Sequence, residues 1–388
     1  MRAGIAVLLL AYVLSQFYRA FLAVLAPVLQ AEIGASPADL AAASGLWFLT
    51  FAAMQLPIGA ALDRLGPRLT SATLFGVGAV GVAMLAMAGS ALAVQIAMGL
   101  IGVGCAPVLM ATYYIFARQF SPTVFGTMAA ATIGFASLGN IASSLPLSAA
   151  IEAFGWRQTM WGMAGVTALT AVALAVLVRD PPPVGDARGS VIDILRNRAI
   201  WPILAMMAVC YAPQAGLRGL WVGPYFAEVH GYDARAIGQV SLWFGLAMVA
   251  GNFAYGPMER LFQSRKRVIL GGNALAVVCL LGLWLFAAAP PWVATVLLVG
   301  LGLFGASFGI VIAHGRAFFP AHLMGRGVTL LNLFGILPIG IAQLITGRIH
   351  AGMAGGAPEA PHAAIFLFFA LTTSVGLAIY LLSQDRTD

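Results

Sequence analysis

Charged residues are scarce in this chain of 388 residues, where aspartate, glutamate, lysine and arginine together make up 9%. A soluble domain carries about 25% of such residues. Hydrophobic residues make up 61% instead, and the mean hydropathy is +0.95. This composition excludes a water-soluble globule and indicates an integral membrane protein.

Cysteine is also rare. Cys105, Cys210 and Cys279 each lie inside an apolar stretch, where thiols are usually small buried hydrophobic groups. This pattern predicts no disulfide framework. No nucleotide-binding loop, metal cluster or nucleophilic catalytic set is recognisable in the sequence, so we expect a protein without cofactor, metal or catalytic residues, which is not an enzyme.

Apolar stretches of the length that crosses a bilayer as a helix recur from end to end. They predict twelve transmembrane helices, near residues 4–30, 39–61, 69–89, 91–116, 124–150, 157–178, 199–227, 234–258, 266–287, 292–315, 326–348 and 362–383. The first follows Arg2 as a signal peptide would, but it is too long and contains Arg19. We interpret it as a retained helix.

The basic residues collect in alternate loops, which explains the net charge of +7 and the pI of about 9.7 without a nucleic-acid partner. Because cytoplasmic loops carry the excess of arginine, these loops and both termini are predicted to be cytoplasmic. The protein is then a multi-pass protein of the bacterial inner membrane, with lipid as its surroundings.

The longest polar break, which contains three prolines and two glycines, runs from Arg179 to Ser190. It predicts an N-terminal bundle at 1–178, a cytoplasmic linker at 179–198 and a C-terminal bundle at 199–388. Apolar positions alternate with charged ones over 191–198, which is typical of a short helix on the membrane surface.

The two halves repeat each other. An offset of 196 residues takes Glu32 onto Glu228, Trp47 and Phe48 onto Trp243 and Phe244, and Asp63 and Arg64 onto Glu259 and Arg260. A parallel duplication of a six-helix bundle produces such an offset. The expected fold is therefore all-α, with two pseudo-symmetric bundles.

The loop after the second span, Gly59-Ala-Ala-Leu-Asp63-Arg64-Leu-Gly66-Pro-Arg68, resembles the signature GxLADRxGRR of the major facilitator superfamily, and a weaker copy runs from Gly256 to Arg260. Phe154-Gly-Trp-Arg157 is similar to another element of that family. The resemblance implies that Asp63 and Arg64 make cytoplasmic charge contacts between the two halves that steady one state of an alternating cycle, with Gly59, Gly66, Arg68, Glu259 and Arg260 in the same conformational signature. The alternative is that they are only topogenic loop charges.

Two motifs of other family members are missing. The arginine of the fourth-span pattern RxxxGxG is replaced by Met98, and the fifth-span pattern GPxxGG of drug–proton antiporters is absent, the nearest stretch running from Gly134 to Asn140. Both departures argue against multidrug export.

Only two charged residues lie deep in the predicted spans, Arg19 in the first and Arg218 in the seventh. All thirteen acidic residues map to loops or span ends. Intramembrane charges are costly and usually functional, and arginine offers planar bidentate donors to carboxylate or phosphate. Since the resemblance implies that spans one and seven line a central cavity, both arginines are expected to bind the anionic group of one substrate. The alternative is a structural cation.

Polar residues at helical spacing surround both arginines. They are Tyr12, Ser15 and Gln16 beside Arg19, and Tyr211, Gln214 and Trp221 beside Arg218. The stretch Gln16-Phe-Tyr18-Arg19 with Ala26-Pro27 resembles the first span of facilitators that carry organic anions and organophosphates. Further candidates for a cavity lining are Tyr113, Tyr114, Asn140, Asn252, His314 and Asn332; interhelical hydrogen bonding is their alternative role.

The sequence therefore predicts a secondary transporter for a small organic anion that works by alternating access and functions as a monomer. Anion exchange, uniport, and symport with a proton taken up by the substrate or by His314 are all left open. Two alternatives stay open. One is an efflux pump for lipophilic or cationic compounds, and the other is a protein of this fold that no longer transports and acts as a sensor or assembly partner.

Overall fold

The computed structural model describes residues 2–120, 122–182, 194–319, 324–353 and 355–386, and the regular structure in these ranges is helical. The helices of the first half are α1 Arg2–Phe17, α2 Leu22–Ile33, α3 Pro37–Arg64, α4 Gly66–Ala86, α5 Ala91–Cys105, α6 Pro107–Gln119, α7 Pro122–Ala142, α8 Leu145–Phe154 and α9 Trp156–Leu177. Those of the second half are α10 Trp201–Cys210, α11 Ala212–Gly216, α12 Val222–His230, α13 Ala234–Phe262, α14 Arg265–Leu285, α15 Pro291–Phe304, α16 Phe308–Arg316, α17 Met324–Gly352 and α18 Ala360–Tyr380. A 3₁₀ turn, Arg198–Ile200, precedes α10, and a π-helical turn, Leu217–Trp221, joins α11 to α12.

Ten spans in the described residues are long and apolar enough to cross a membrane, and α1 with α2 forms an eleventh if this bent pair is one span. Eleven of the twelve predicted spans thus correspond to helices or helix pairs with ends within a few residues. The predicted fifth span is divided into α7 and α8, whose apolar stretches Ala131–Ala142 and Leu145–Phe154 are shorter. The all-helical membrane fold predicted from the sequence is confirmed.

The chain divides into two compact units. The first contains Met1–Val184 and Tyr232–Gln239, and the second contains Gly185–Gly231 and Val240–Asp388. Most of the predicted linker, including the start of the surface helix expected at 191–198, lies outside the described residues. In the described part of that stretch, the indole N–H of Trp201 donates to the carbonyl of Leu195 at 3.1 Å.

Five of the spans are discontinuous: the first, fourth, fifth, seventh and tenth. The first bends by 51° between α1 and α2. The fourth breaks before Pro107 and the seventh before Pro213, because proline lacks the N–H for the helical ladder and clashes with the carbonyl four residues earlier. The breaks in the first, fourth, seventh and tenth spans recur at every third span. A duplication of one half would produce this regular spacing.

In each half of the chain, an aspartate that follows the last helix accepts a hydrogen bond from the first turn of an earlier helix. Asp180, after α9, accepts a hydrogen bond from the backbone N–H of Arg68 at 2.8 Å in the first turn of α4. Asp385, after α18, accepts from the backbone N–H of Lys266 at 3.1 Å in the first turn of α14. Both aspartates therefore satisfy helix N–H groups that have no partner within their own helix.

Replacing Asp180 with alanine is expected to lower the melting temperature of the purified protein by a few degrees. The carboxylate caps α4, and loss of a helix cap costs about 0.5–2 kcal/mol. Glu359→Ala is the matched control, since Glu359 precedes α18 but its side chain makes no capping hydrogen bond. Equal melting temperatures for the two variants, measured by differential scanning fluorimetry in detergent, would show that the Asp180 contact contributes nothing.

Candidate functional site

Arg19 lies in the bend between α1 and α2 and is half-buried. Its guanidinium carbon is 5.5 Å from the ring centroid of Trp47 and 5.0 Å from that of Phe51, both on α3. These two rings stack on each other with centroids 5.1 Å apart. A cation over an aromatic face gains about 0.5–2 kcal/mol, so α3 holds the guanidinium in place without neutralising it.

No carboxylate contacts Arg19 in the described part of the chain. Its buried Nε has no hydrogen-bond partner there, and none of the ion pairs formed by described residues includes it. A buried guanidinium nitrogen without an acceptor is costly. An anionic ligand would supply the missing acceptor.

The other polar residues predicted around Arg19 divide into two groups. The amide of Gln16 donates to the hydroxyl of Tyr12 at 3.3 Å, one helical turn away, and the buried Oε1 of Gln16 has no partner among the described residues. Tyr18 points elsewhere, because its hydroxyl lies 2.6 Å from the hydroxyl of Thr167 on α9, and its ring is 1% exposed. Tyr12 and Gln16 therefore remain candidate residues of the site. Tyr18, in the bend after α1, instead contacts α9 inside the first unit.

Tyr18→Phe is expected to lower the melting temperature while leaving the KM for the transported substrate within about twofold of the wild type. The variant removes one buried hydrogen bond, worth about 0.5–1.5 kcal/mol, and leaves the groups near Arg19 in place. Melting in detergent and uptake kinetics in proteoliposomes measure the two effects. A several-fold rise in KM at unchanged melting temperature would instead make Tyr18 a substrate contact.

Arg218 lies on the π-helical turn Leu217–Trp221 and is 3% exposed. Pro224 follows this turn, and a proline cannot donate to the carbonyl four residues before it, so the wide turn accommodates it. The guanidinium lies against α13 at Gly245, where an added Cβ would stand 3.0 Å from its terminal nitrogen. Gly245 thus provides the space in which Arg218 lies.

The two arginines lie about one helical turn apart in the repeat, since the offset of 196 residues takes Arg19 onto Ala215 and Arg218 onto Leu22. The repeat offset of 196 residues maps Gly245 onto Leu49, which is between Trp47 and Phe51 in α3. Each guanidinium therefore lies against the equivalent stretch of the helix that follows its own span. The sequence analysis predicted no contact of either arginine with that helix.

The remaining residues predicted around Arg218 lie in helix contacts of the second unit. Gln214 is 1% exposed, and its amide donates to the carbonyl of Leu301 at 3.3 Å. Trp221 is also 1% exposed, and its indole N–H donates to Gln343 at 2.9 Å and to Thr346 at 3.0 Å. Tyr211 is half-buried, with its ring 5.2 Å from that of Phe308.

The weaker candidates are dispersed. Tyr113, Tyr114, Asn140 and Asn332 are half-buried, and Asn252 is exposed and donates to the carbonyl of Met248 at 3.0 Å. The guanidinium carbon of Arg118 lies 3.3 Å from the ring centroid of Tyr114. His314 is buried with both ring nitrogens engaged, one by the hydroxyl of Tyr380 at 2.6 Å and the other by the carbonyl of Gln384 at 2.9 Å.

The signature loop makes its described contacts within each unit. Asp63 lies 3.9 Å from Arg118, and Glu259 lies 2.7 Å from Arg265. Gly66 has a φ of 82°, and an added Cβ would stand 2.6 Å from the carboxyl carbon of Asp180. Both the left-handed backbone and the close carboxylate require glycine here. Arg64, Arg68 and Arg260 are exposed, and Gly59 has open space around it.

The sequence analysis missed one cluster of side chains that could bind a metal ion. Glu228, His350 and His362 converge in the second unit, with their ligand atoms within 4.8 Å of one another. The histidines are 122 and 134 residues beyond Glu228, so no motif spacing joins them. The repeat did identify Glu228 as the counterpart of Glu32, and this was the one sequence signal that pointed to a member of the cluster.

The described residues thus give two bundles of apolar spans with one deep arginine each, and a family model described as Major Facilitator Superfamily matches residues 8–343. The chain belongs to the Major Facilitator Superfamily. This confirms the resemblance found in the signature loop, and it makes the protein a multi-span membrane transporter of a small-molecule substrate.

Individual members of the superfamily resemble the chain at low identity. It is 21% identical to a probable sulfoacetate transporter, SauU, of Cupriavidus necator, over 77% of this chain and 75% of the relative. It is 27% identical to a probable L-galactonate transporter of Escherichia coli, over 88% of this chain and 81% of the relative. It is 25% identical to the methyl viologen resistance protein SmvA of Salmonella typhimurium, over 71% of this chain and 54% of the relative.

A solved structure of the superfamily shows the same fold. A bacterial homologue of the human lysosomal transporter Spinster matches with a TM-score of 0.78 at 16% identity, over 98% of this chain and 96% of that one.

Proposed function

We propose that this superfamily member is a secondary active transporter of a small organic anion, carrying a carboxylate or phosphate group, and that Arg19 and Arg218 bind the anionic group during alternating access. The observation that carries the proposal is the pair of guanidinium groups in the first and seventh spans, which correspond in the repeat, each span being interrupted near its arginine. Interrupted helices are typical of substrate sites in transporters.

Electrostatics favours an anionic ligand at these positions. A guanidinium stays protonated when it is desolvated, and removing it from water costs several kcal/mol unless an opposite charge compensates. Arg19 is held by aromatic faces, which attract a cation but do not neutralise it. A substrate carboxylate or phosphate would provide both the charge and the two acceptors that match the guanidinium fork.

The relatives support the same class of substrate. Two of them are described as probable transporters of sulfoacetate and of L-galactonate, which are organic anions. Since identity is below 30%, they indicate the class of compound and not the compound itself.

The coupling we favour is exchange of anions, or symport with a proton that the substrate itself carries. No described carboxylate lies beside Arg19, and both nitrogens of His314 are engaged within the second unit. We place the transporter in the bacterial inner membrane as a monomer with both termini cytoplasmic, following the distribution of arginine in the loops.

One relative favours a second candidate. SmvA is described as a methyl viologen resistance protein, and methyl viologen is a cation. An exporter of cations would need a negative or aromatic site, and two deep arginines would repel its substrate. Efflux that increases when Arg19 is neutralised would support this alternative.

The proposal is tested by uptake of a labelled panel into proteoliposomes containing the purified protein. The panel holds short carboxylates, a sulfonate, a sugar acid, a sugar phosphate and methyl viologen. Saturable uptake of one or more anions, with no transport of methyl viologen, is the expected result. Transport of methyl viologen alone would show that the anion proposal is wrong.

A further inference from the structure

Three side chains with metal-binding donor atoms meet at the end of the second unit opposite the Glu259 loop. Glu228 lies on α12, His350 near the end of α17, and His362 near the start of α18. Nε2 of His350 is 3.0 Å from Oε2 of Glu228, and Nε2 of His362 is 2.8 Å from the same oxygen. All three donor atoms lie within 4.8 Å of one another.

The first unit uses the corresponding carboxylate differently. Glu32 accepts a hydrogen bond from the indole N–H of Trp156 at 2.7 Å and lies 4.0 Å from Arg157, so a permanent cation stands beside it. Glu228 pairs with histidines alone among the described residues. Where the first unit supplies a fixed positive charge, the second supplies two imidazoles, which are good ligands for a divalent cation.

The two imidazole rings are held in place by aromatic neighbours on the seventh span. Trp221 stacks on His350 with ring centroids 5.3 Å apart, and hydrogen bonds to Gln343 and Thr346 fix the indole. Tyr225 packs edge-on against His362 at 5.4 Å, and its hydroxyl donates to the carbonyl of Ala287 at 2.8 Å. The side chains that pack against both rings are thus themselves anchored by hydrogen bonds.

From this arrangement we infer that Glu228, His350 and His362 form a binding site for a divalent transition-metal cation of the Zn²⁺ type. Two imidazoles and one carboxylate are a ligand set that zinc takes in proteins, with a fourth position left to water. Tetrahedral donors about 2.0–2.1 Å from such an ion stand about 3.3–3.4 Å apart. Each imidazole nitrogen, now at hydrogen-bond distance from the Glu228 oxygen, would move away from it by about half an ångström to admit the ion. The side chains of His350 and His362 are 11% and 1% exposed and that of Glu228 is 28% exposed, which gives the ion an entry.

A bound ion would join three helices at one end of the second unit. It would link α12, at the end of the seventh span, to α17 and α18, and so oppose any movement of α12 away from them. The proposal does not depend on the substrate, since the ligands and their supports lie in the second unit and none of them is Arg19 or Arg218.

The test is zinc binding by the purified full chain in detergent, produced without a polyhistidine tag. After dialysis against buffered Zn²⁺, inductively coupled plasma mass spectrometry should find about one Zn²⁺ per chain in the wild type. His350→Gln, His362→Gln and Glu228→Gln should each weaken binding by at least about 100-fold, and Zn²⁺ should raise the melting temperature of the wild type alone. Bound Co²⁺ should give tetrahedral ligand-field bands that disappear in the three variants.

Two controls separate the site from ordinary metal adsorption and from loss of fold. His230→Gln removes the neighbouring histidine outside the cluster, and Glu32→Gln removes the corresponding carboxylate of the first unit; both should bind as the wild type does. A glutamine at position 350 still offers an N–H to Glu228, so the zinc-free fold should persist, as size-exclusion chromatography will show. Zinc bound equally by the wild type and all three variants, or by none of them, would overturn the proposal.

Discussion

Arg19→Gln and Arg218→Gln are each expected to reduce the kcat/KM for anion uptake by about 30-fold to several thousand-fold. Removing one partner of a desolvated charge pair costs about 2–5 kcal/mol, because the other charge stays buried without its partner. The substrate anion is that other charge if the guanidinium groups bind it. The corresponding lysine variants keep the charge but lose the bidentate fork, so their activity should be intermediate.

The same variants distinguish a binding role from a structural one. If Arg19 only packs on Trp47 and Phe51, its replacement should lower the melting temperature and leave the KM unchanged. Arg348→Gln is the control, because Arg348 lies near the end of α17 and is exposed. Uptake by both glutamine variants at the wild-type rate would show that neither arginine binds substrate.

Gly245→Val is expected to abolish most transport, by at least about tenfold, although the substituted residue bears no functional group. Even one added carbon would stand 3.0 Å from the terminal nitrogen and 3.1 Å from Nε of Arg218. The guanidinium would have to move, and displacements of about 1 Å in a site can cost about 100-fold. Initial rates of uptake by the variant, normalised to the amount of reconstituted protein, measure the effect.

A matched substitution and a double variant make this prediction specific. Gly271→Val places the same side chain at an exposed glycine of α14 with open space around it, and should transport normally. If Gly245 acts through Arg218, then Gly245→Val combined with Arg218→Gln should be no worse than Arg218→Gln alone. Fully additive losses would mean that valine damages α13 itself.

The helices and the family could be predicted from the sequence because hydropathy and the signature at Gly59 to Arg68 are local properties. The breaks within the spans could be predicted only in part. Pro107 and Pro213 mark two of them, whereas the 51° bend beside Arg19 has no proline at its centre. The sequence around Arg19 therefore carries no proline signal for that bend.

The direction of the side chains around the two arginines could not be predicted from the sequence. The motif resemblance grouped Tyr18 with Arg19, and helical spacing grouped Trp221 with Arg218. The structure joins Tyr18 to Thr167 and Trp221 to Gln343 and Thr346. Which face of a helix meets a neighbouring helix is set by tertiary packing, and periodicity within a single span does not contain that information.

The most direct test of the central claim is counterflow of an acid and its neutral amide. Proteoliposomes are loaded with the best unlabelled anion from the uptake panel, and entry of the labelled acid is compared with entry of the amide of the same skeleton. If the arginines select negative charge, the acid will exchange and the amide will not, and Arg218→Gln will remove the exchange. Equal entry of acid and amide would contradict the account, since recognition would then depend on shape and not on charge.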